Sequence, residues 1–352
     1  MFATLLGPYP CSTQPHDPTE GAAPATTDGA AAADPVADAA VREAIAAQEA
    51  AGLEPLTDGH ARWADPVSGL VAGLEGFAIE GPVPYLGTGR TVRRPRLTAE
   101  PRWRGPITVD PWRFAAGCTT RAVKQTILGP YTLGFLADAG DLGRERTTLA
   151  LAEALNEELR ALAAAGCPLV QVDEDAATGI GDDPSERRLF RDAQRRLTDG
   201  VEAVHLSLAI TTGNADRAGA ATIFDAPYQS HLFDLIGGPD NWRLIAQAPG
   251  ERGIICAALD PTAPTAGQLE ILVWAARYAA STGGRGMQRV GLAPAPGLER
   301  LSTDEARARI RLLGEAARLV TAPRDELARS LDPRALDAPW DRRRRARWRP
   351  FD

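Results

Sequence analysis

Hydrophobic and polar positions follow two recurring patterns along this chain of 352 residues. Short continuous apolar runs are typical of strands buried on both faces, and longer segments with apolar residues at three- and four-residue spacing are typical of helices. The run 169–172 follows an Ala/Leu/Glu-rich helix predicted over about 147–165 and leads into Asp173, Glu174 and Asp175. Parallel α/β folds place their chemistry where strands end, so these acids mark a candidate site. The alternative is that they only cap the following loop.

Eight apolar runs are predicted to be strands, and helical patterns separate most of them. The predicted strands are 2–6, 53–58, 123–128, 169–172, 201–208, 221–225, 253–259 and 288–292. The predicted helices are 41–51, 66–77, 147–165, 184–200, 268–280 and 303–320. This alternation indicates an α/β protein with a single (β/α)8 TIM barrel over residues 1–325. A doubly wound sheet is the alternative, but no Gly-rich dinucleotide-binding turn follows the first strand.

Three segments interrupt the alternation. Residues 15–38 are rich in Ala, Pro, Asp and Thr without periodicity, which predicts a flexible surface loop. Residues 78–111 combine Pro and Gly with an Arg cluster, which predicts a hairpin-like excursion after the second β/α unit. Residues 326–352 form a basic C-terminal extension, and its strongly basic stretch 342–349 predicts either a solvated tail or a segment that docks on acidic surface.

Charge and cysteine content narrow the class of protein. The net charge of −7 and the pI of about 5.3 argue against a general nucleic-acid-binding surface. No apolar run approaches membrane-spanning length, and the first residues lack the basic start of a signal peptide. The four cysteines are widely spaced without a CxxC pair, which predicts reduced thiols. We therefore expect a cytoplasmic protein, and its oligomeric state is not predicted.

In a barrel, the residues that follow the strands share one mouth. The candidates there are Tyr9, Cys11, His60, Tyr131, Asp173, Glu174, His205, Ser207, Asp225, Cys256, Asp260 and Pro296. His205 and Ser207 are predicted to point to the same face, because strand side chains alternate. A histidine with an acid partner such as Asp225 can ligate a metal or move protons, although a single strand histidine is more often structural.

The order of several motifs resembles the C-terminal catalytic barrel of the cobalamin-independent methionine synthase family. The turn 7–10 (GPYP) is similar to the family's GSFP turn, and 56–77 (LTDGHARWADPVSGLVAGLEGF) to its GE-x-x-R-x-D-M-V-x-x-F segment. Segments 106–115 and 121–133 resemble its P-M-T-V-E and V-K-G-x-L-T-G-P-V-T motifs, and 169–176 (LVQVDEDA) resembles I-Q-I-D-E-P-A. Residues 204–207 (VHLS) are similar to the I-H-x-C strand, and 291–301 (GLAPAPGLERL) to V-N-P-D-C-G-L-K.

The resemblance implies a zinc site that this chain has lost. The family holds one zinc through His, Cys, Glu and Cys, and the zinc activates homocysteine as a thiolate. Here His205 keeps the histidine, Ser207 and Pro296 stand at the two cysteines, and Asp225 stands at the glutamate. Serine is a poor zinc ligand and the proline side chain offers none. No metal is therefore expected; a rearranged set would use His205, Asp225 and Cys256, with Cys11 as a further thiol.

The resemblance also implies an altered substrate pocket. Asp173 matches an acid that helps to hold the substrate amino group, His60 replaces a second such acid, and Pro8 replaces a serine whose amide seats the substrate carboxylate. The substrate-binding candidates are His60, Asp173, Glu174, Tyr9, Tyr131 and Ser207, and the catalytic candidates are His205, Asp225 and Asp173. Methyl-folate is the candidate cofactor.

Three functions remain open. The first is a methionine-synthase-like, zinc-independent enzyme of specialised metabolism that transfers a methyl or alkyl group, or does related C–S chemistry, on a small amino-acid-like or thioether substrate. The second is a genuine folate- or thiol-dependent homocysteine methyltransferase with rearranged zinc ligands. The third is a non-catalytic barrel that binds a ligand or a partner. We rank them in this order.

Overall fold

A computed structural model describes residues 1–10 and 34–331. Nine strands are assigned there: β1 Phe2–Ala3, β2 Leu74–Pro84, β3 Thr91–Trp103, β4 Gln125–Leu128, β5 Leu169–Asp173, β6 His205–Ile210, β7 Ser230–Asp234, β8 Gly253–Leu259 and β9 Val290–Pro294. The α-helices in the same residues are α1 Pro35–Ala50, α2 Pro66–Val71, α3 Val109–Gly117, α4 Pro130–Leu136, α5 Arg144–Ala164, α6 Pro184–Thr198, α7 Ala220–Ile223, α8 Trp242–Gln247, α9 Gln268–Ser281, α10 Thr303–Val320 and α11 Arg324–Ser330.

Seven strands form one parallel sheet in the order β1-β9-β8-β7-β6-β5-β4. The result is an α/β half-barrel, because sequential strands lie side by side and helices connect them. Residues 53–56 lie between the two edge strands. The amide of Glu54 donates to the carbonyl of Ala3 (2.9 Å), and that of Lys124 donates to the carbonyl of Leu56 (2.9 Å). Pro55 has no N–H to donate, so these contacts stay isolated bridges instead of the predicted second strand.

The two faces of the sheet bury different residues. Leu151, Leu155, Leu159 and Leu162 of α5 are fully buried at helical spacing and belong to the same cluster as the outward-facing residues of β5. The inner face, opposite the helices, carries a second and smaller apolar cluster. This cluster consists of Leu6, Ala209, Leu232, Ile255, Ala257 and Ala293. Side-chain alternation therefore sends one half of each strand toward the helices and the other half toward the barrel axis.

Strands β2 and β3 pair antiparallel and form a hairpin outside the parallel sheet. Buried Glu158 of α5 anchors the hairpin base, because its carboxylate accepts from the Trp103 indole (2.8 Å) and from the Ile107 and Thr108 amides (2.9 and 2.8 Å). The sequence predicted a helix over 66–77, but α2 ends at Val71. Glycines at 73 and 76 weaken a helix there, and Gly76 has a φ of +92° that suits the irregular hairpin.

Two predicted strands differ from the structure in ways that affect the site. Strand β6 begins at His205 and not at 201, so its carboxyl end lies further along the chain. The segment predicted as the sixth strand, 221–225, overlaps helix α7, and the strand is β7, which was not predicted. Short apolar runs are ambiguous between helix and strand, and this one was assigned wrongly.

Parts of the predicted loop 15–38 and of the predicted extension 326–352 are helical in the structure. Residues 35–38 of the predicted loop 15–38 form the first turn of α1, because Asp34 caps it by accepting from the amides of Val36 and Ala37. Loop residues 15–33 lie outside the described residues. Residues 326–330 of the predicted extension lie in α11, and the basic stretch lies outside the described residues. No helix in the described part of the chain is long and apolar enough to cross a bilayer.

Candidate functional site

A cavity of about 340 Å³ opens at the carboxyl ends of the parallel strands. Four aspartates line it, and three of them stand at or just beyond the end of a strand: Asp173 on β5, Asp234 on β7 and Asp260 after β8. The fourth, Asp175, lies two residues after β5. The same strand-end geometry that builds active sites in barrels therefore collects these carboxylates.

Asp173 is half-buried and accepts one hydrogen bond, from Gln171 Nε2 to Oδ1 (2.7 Å). Its other oxygen, Oδ2, accepts no hydrogen bond from the described residues. Burial raises the pKa of the Asp173 carboxyl well above its usual range, and the nearby charge of Asp175 adds to this effect. Asp173 therefore keeps an oxygen available to a ligand.

A buried lysine lies behind Asp173. Lys124 is the only lysine in the sequence, and its Nζ donates to Gln171 Oε1 (2.6 Å) and to the Leu5 carbonyl (2.7 Å). Gln171 thus links the ammonium to the carboxylate through the inner face of the sheet. Burial lowers the pKa of Lys124 to about 7, although the charge of Asp173 opposes the shift.

Asp175 is held by donors on two other elements. The hydroxyl of Tyr85, at the tip of the hairpin, donates to Oδ2 (2.8 Å). The amide and hydroxyl of Thr211, just after β6, donate to Oδ1 (3.1 and 2.6 Å). Burial and the Asp175 charge raise the pKa of the Tyr85 phenol well above 10, so Tyr85 stays a donor. The Asp175 carboxylate is therefore fixed in place.

Asp234 is fixed in a similar way by backbone amides. Ile236 and Gly237 donate to Oδ1 (2.9 and 2.8 Å), and Thr212 donates to Oδ2 (3.2 Å). Burial raises the pKa of Asp234, and these hydrogen bonds oppose the shift. Thr212 itself has a φ of +68°, which is rare for a β-branched residue, and its Oγ1 has no partner among the described residues.

The rim of the cavity joins the hairpin tip to the loop after β9. Arg90 lies 3.8 Å from Glu299, and Arg300 donates to the carbonyl of Thr88 (2.9 Å). His60 also lines the cavity, and its buried Nε2 has no partner within the described chain. Burial lowers the pKa of His60 and the charge of Asp58 opposes this, so the ring is neutral near pH 7. His60 can therefore accept or donate one hydrogen bond, as a neutral imidazole does.

Glu174, Tyr131 and Tyr9 do not line this cavity. Glu174 is fully buried and accepts from the amides of Tyr131 and Thr132 (3.0 and 2.7 Å), from the Thr132 hydroxyl and from Gln194. It therefore caps α4, and burial raises the pKa of its carboxyl to about 7. The Tyr131 ring packs on Phe190 of α6, which is the helix side of the sheet, and Tyr9 is buried in the main core.

His205 and Ser207 lie at the opposite end of the sheet. His205 is paired with Leu169, four residues before Asp173, which corresponds to about 13 Å along the strand. Both residues line a second cavity of about 300 Å³ with Lys124 and Gln171, and His205 Nε2 lies 2.8 Å from Ser230 Oγ. Their predicted position at the mouth is wrong, because β6 starts at His205 instead of ending near it.

Asp225 is separated from both groups. It follows α7, and both its carboxylate oxygens accept from the Arg195 guanidinium on α6 (2.6 and 2.7 Å). The predicted catalytic set of His205, Asp225 and Asp173 is therefore not brought together. The predicted sixth strand would have carried Asp225 to the mouth, but the segment is helical and Asp234 occupies that place.

The donor set does not fit the zinc that the resemblance implies. Cys256 is fully buried, its Sγ lies 3.8 Å from the Ala275 carbonyl of α9, and burial raises the pKa of its thiol to about 12. Pro296 lines the mouth cavity without a donor atom, and Ser207 lies at the far end. Within residues 1–10 and 34–331, no three His, Cys, Asp or Glu side chains are arranged to hold a metal; Cys11 lies outside these residues. The described residues therefore do not bring together the thiolates of a tetrahedral zinc site.

Several lining residues were not predicted, namely Tyr85, Arg90, Thr211, Thr212, Asp234 and Glu299. One of them carried a signal in the sequence. The segment 230–236 (SHLFDLI) is an apolar run that contains a strand-ending aspartate, as 169–173 does. Arg90 belongs to the Arg cluster noted in the sequence, but Tyr85 carried no signal, because only the tertiary position of the hairpin brings it to the mouth.

Comparisons with known proteins agree with this architecture. A family model described as the catalytic domain of cobalamin-independent synthase matches residues 1–217, more than half of the chain. The 5-methyltetrahydropteroyltriglutamate–homocysteine methyltransferases of Caulobacter vibrioides and Aeromonas salmonicida are 38% and 36% identical over 138 and 141 residues. These matches cover 38% and 39% of this chain but only 17% and 19% of those proteins.

Solved structures show the same fold at low identity. A B12-independent methionine synthase from Shewanella sp. W3-18-1, in complex with selenomethionine, superposes with a TM-score of 0.74 at 17% identity, over 93% of this chain and 98% of that one. A putative vitamin-B12-independent methionine synthase from Listeria monocytogenes gives a TM-score of 0.69 at 16% identity, over 92% and 98%.

Proposed function

This chain belongs to the family of the catalytic domain of cobalamin-independent synthases. We propose that it is a methyl- or alkyl-transferase-like enzyme that works without the zinc of that family. Its substrate is a small amino-acid-like molecule or thioether. The observation that carries this proposal is the mouth cavity, where aspartates from several strands converge and no cysteine of residues 1–10 and 34–331 is among the lining residues. Its volume of about 340 Å³ suits a small ligand.

The polar groups of the cavity support an amino-acid-like substrate. Asp173 presents an oxygen that accepts no hydrogen bond from the described residues, so it can take a substrate ammonium. Arg90 lies 3.8 Å from Glu299, a loose pair that a substrate carboxylate can replace. His60 Nε2 offers one more hydrogen bond. The cavity thus has one partner for each charged group of a free amino acid.

The fold supports two further proposals. We propose that the seven-stranded sheet and residues 53–58 close into a (β/α)8 barrel over residues 1–325, with 78–111 as its excursion. We also propose that residues 326–352 form a separate basic extension. The cytoplasmic location and the folate cofactor stay predictions.

Isothermal titration with L-methionine tests the proposed site. We expect wild-type protein to bind it and Asp173→Asn to weaken binding at least tenfold, because a hydrogen bond between charged groups contributes about 1.5–3 kcal/mol. Asp225→Asn is the matched control, since its carboxylate pairs with Arg195 on the outer surface. Equal affinity of the Asp173 variant and the wild type would refute the assignment.

A further inference from the structure

The aspartates of the mouth cavity differ in how many of their lone pairs the protein already uses. A carboxylate offers about four lone-pair sites. Asp175 accepts three hydrogen bonds, from Tyr85 and from the amide and hydroxyl of Thr211. Asp234 accepts three backbone hydrogen bonds. These two groups therefore supply negative charge to the cavity but few places for a ligand N–H.

Such a surface suits a cation that has no hydrogen to donate. An ammonium group needs open acceptors, and Asp173 provides one. A sulfonium group carries its charge on a three-coordinate sulfur without N–H or S–H, so a fixed field stabilises it without new hydrogen bonds. The unpartnered Nε2 of His60 and Oγ1 of Thr212, both on residues that line the cavity, indicate that a polar ligand completes the site.

The lack of zinc ligands among the described residues also favours a sulfonium substrate. The residues present do not fit a zinc that would activate a thiol acceptor, so an alkyl transfer here needs a donor that is already activated. We propose that the cavity binds an amino-acid-like alkylsulfonium as the alkyl donor, with its sulfur against Asp175 and Asp234 and its ammonium on Asp173. This inference rests on the proposed function and names its substrate class.

The transfer balances with a thiol as acceptor. The thiol sulfur attacks the alkyl carbon, the carbon–sulfonium bond breaks, and its electron pair stays on the donor sulfur, which becomes a neutral thioether. The acceptor becomes a second thioether, and its proton leaves to solvent water.

Two probes that differ by one methyl group test the proposal. S-methyl-L-methionine carries the sulfonium, and L-methionine is its neutral thioether with the same ammonium and carboxylate. Isothermal titration at low salt should give at least tenfold tighter binding of the sulfonium. Asp175→Asn and Asp234→Asn should reduce this preference below about threefold and leave L-methionine affinity nearly unchanged. Tyr85→Phe keeps the Asp175 charge, so the preference should persist, and Asp225→Asn is the external control.

The outcomes separate this inference from the proposed function. If L-methionine binds as tightly as the sulfonium, the sulfonium proposal is wrong and the proposed site stands. If neither probe binds, both are wrong. Circular dichroism must first show that both Asn variants are folded. If both still bind the sulfonium more tightly than L-methionine, Asp175 and Asp234 do not cause this preference and the sulfonium proposal is wrong. Mass spectrometry should detect transfer of a deuterated methyl group from the sulfonium to L-homocysteine or dithiothreitol. If neither thiol becomes labelled, the sulfonium is not an alkyl donor for this protein.

Discussion

Replacing Lys124 by methionine removes the only lysine of the chain from the inner face of the sheet. Lys124 is 4% exposed, and burial lowers its pKa to about 7 from an ordinary value of 10.5. Above pH 7 the unfolded chain therefore binds a proton that the folded chain does not. The stability of the wild type should rise with pH from about 7 to 10.5 through this group, because the unfolded state binds more protons there.

The magnitude follows from the shift. Between pH 7 and pH 9.5 the contribution is about 3 kcal/mol, since each pKa unit corresponds to about 1.36 kcal/mol and the group is half-titrated at the start. The assay is urea unfolding of the wild type and Lys124→Met at both pH values, and titrating groups that do not interact with Lys124 cancel in the difference. The wild-type advantage should grow by about 3 kcal/mol. An advantage that stays flat or shrinks as the pH rises would refute the reasoning.

Three other substitutions give separable results. Glu174→Gln should lower the free energy of unfolding by about 2–4 kcal/mol in urea titrations, because an amide cannot accept from all four buried donors. Tyr85→Phe should lower the free energy of unfolding by about 1.5–3 kcal/mol in the same measurement, since Asp175 loses a buried donor. No change in this free energy would show that the hydrogen bond from Tyr85 does not stabilise the position of the hairpin tip. His205→Ala should leave L-methionine affinity within twofold by calorimetry, because His205 lies about 13 Å from Asp173 along the sheet; a tenfold loss would contradict the placement.

The sequence predicted the α/β class and the position of Asp173 because a continuous apolar run that ends in acids is typical of a parallel strand that ends at a site. Strand β8 and helices α9 and α10 were predicted within one or two residues for the same reason. The resemblance to the methionine synthase family is confirmed by the family match. These features depend on patterns that are local in the chain.

The site required register, which local patterns do not contain. A shift of four residues in the start of β6 moved His205 and Ser207 from one end of the sheet to the other. A short apolar run at α7 was predicted to be a strand, so the true strand β7 and its terminal Asp234 were not predicted. Tyr85 reaches Asp175 across 90 positions of the sequence. Of the predicted mouth residues, His60, Asp173, Asp260 and Pro296 line the cavity.

The claim that this enzyme works without zinc has a direct test in the metal content of the purified protein. Elemental mass spectrometry, after incubation with excess zinc and gel filtration of tag-free protein, counts the zinc retained per chain. The buried Cys256 thiol, the distant Ser207 and the donor-free Pro296 predict less than about a tenth of an equivalent, because a stable site needs a near-complete donor set. About one zinc per chain, lost on substitution of Cys256 or Cys11, would contradict the account.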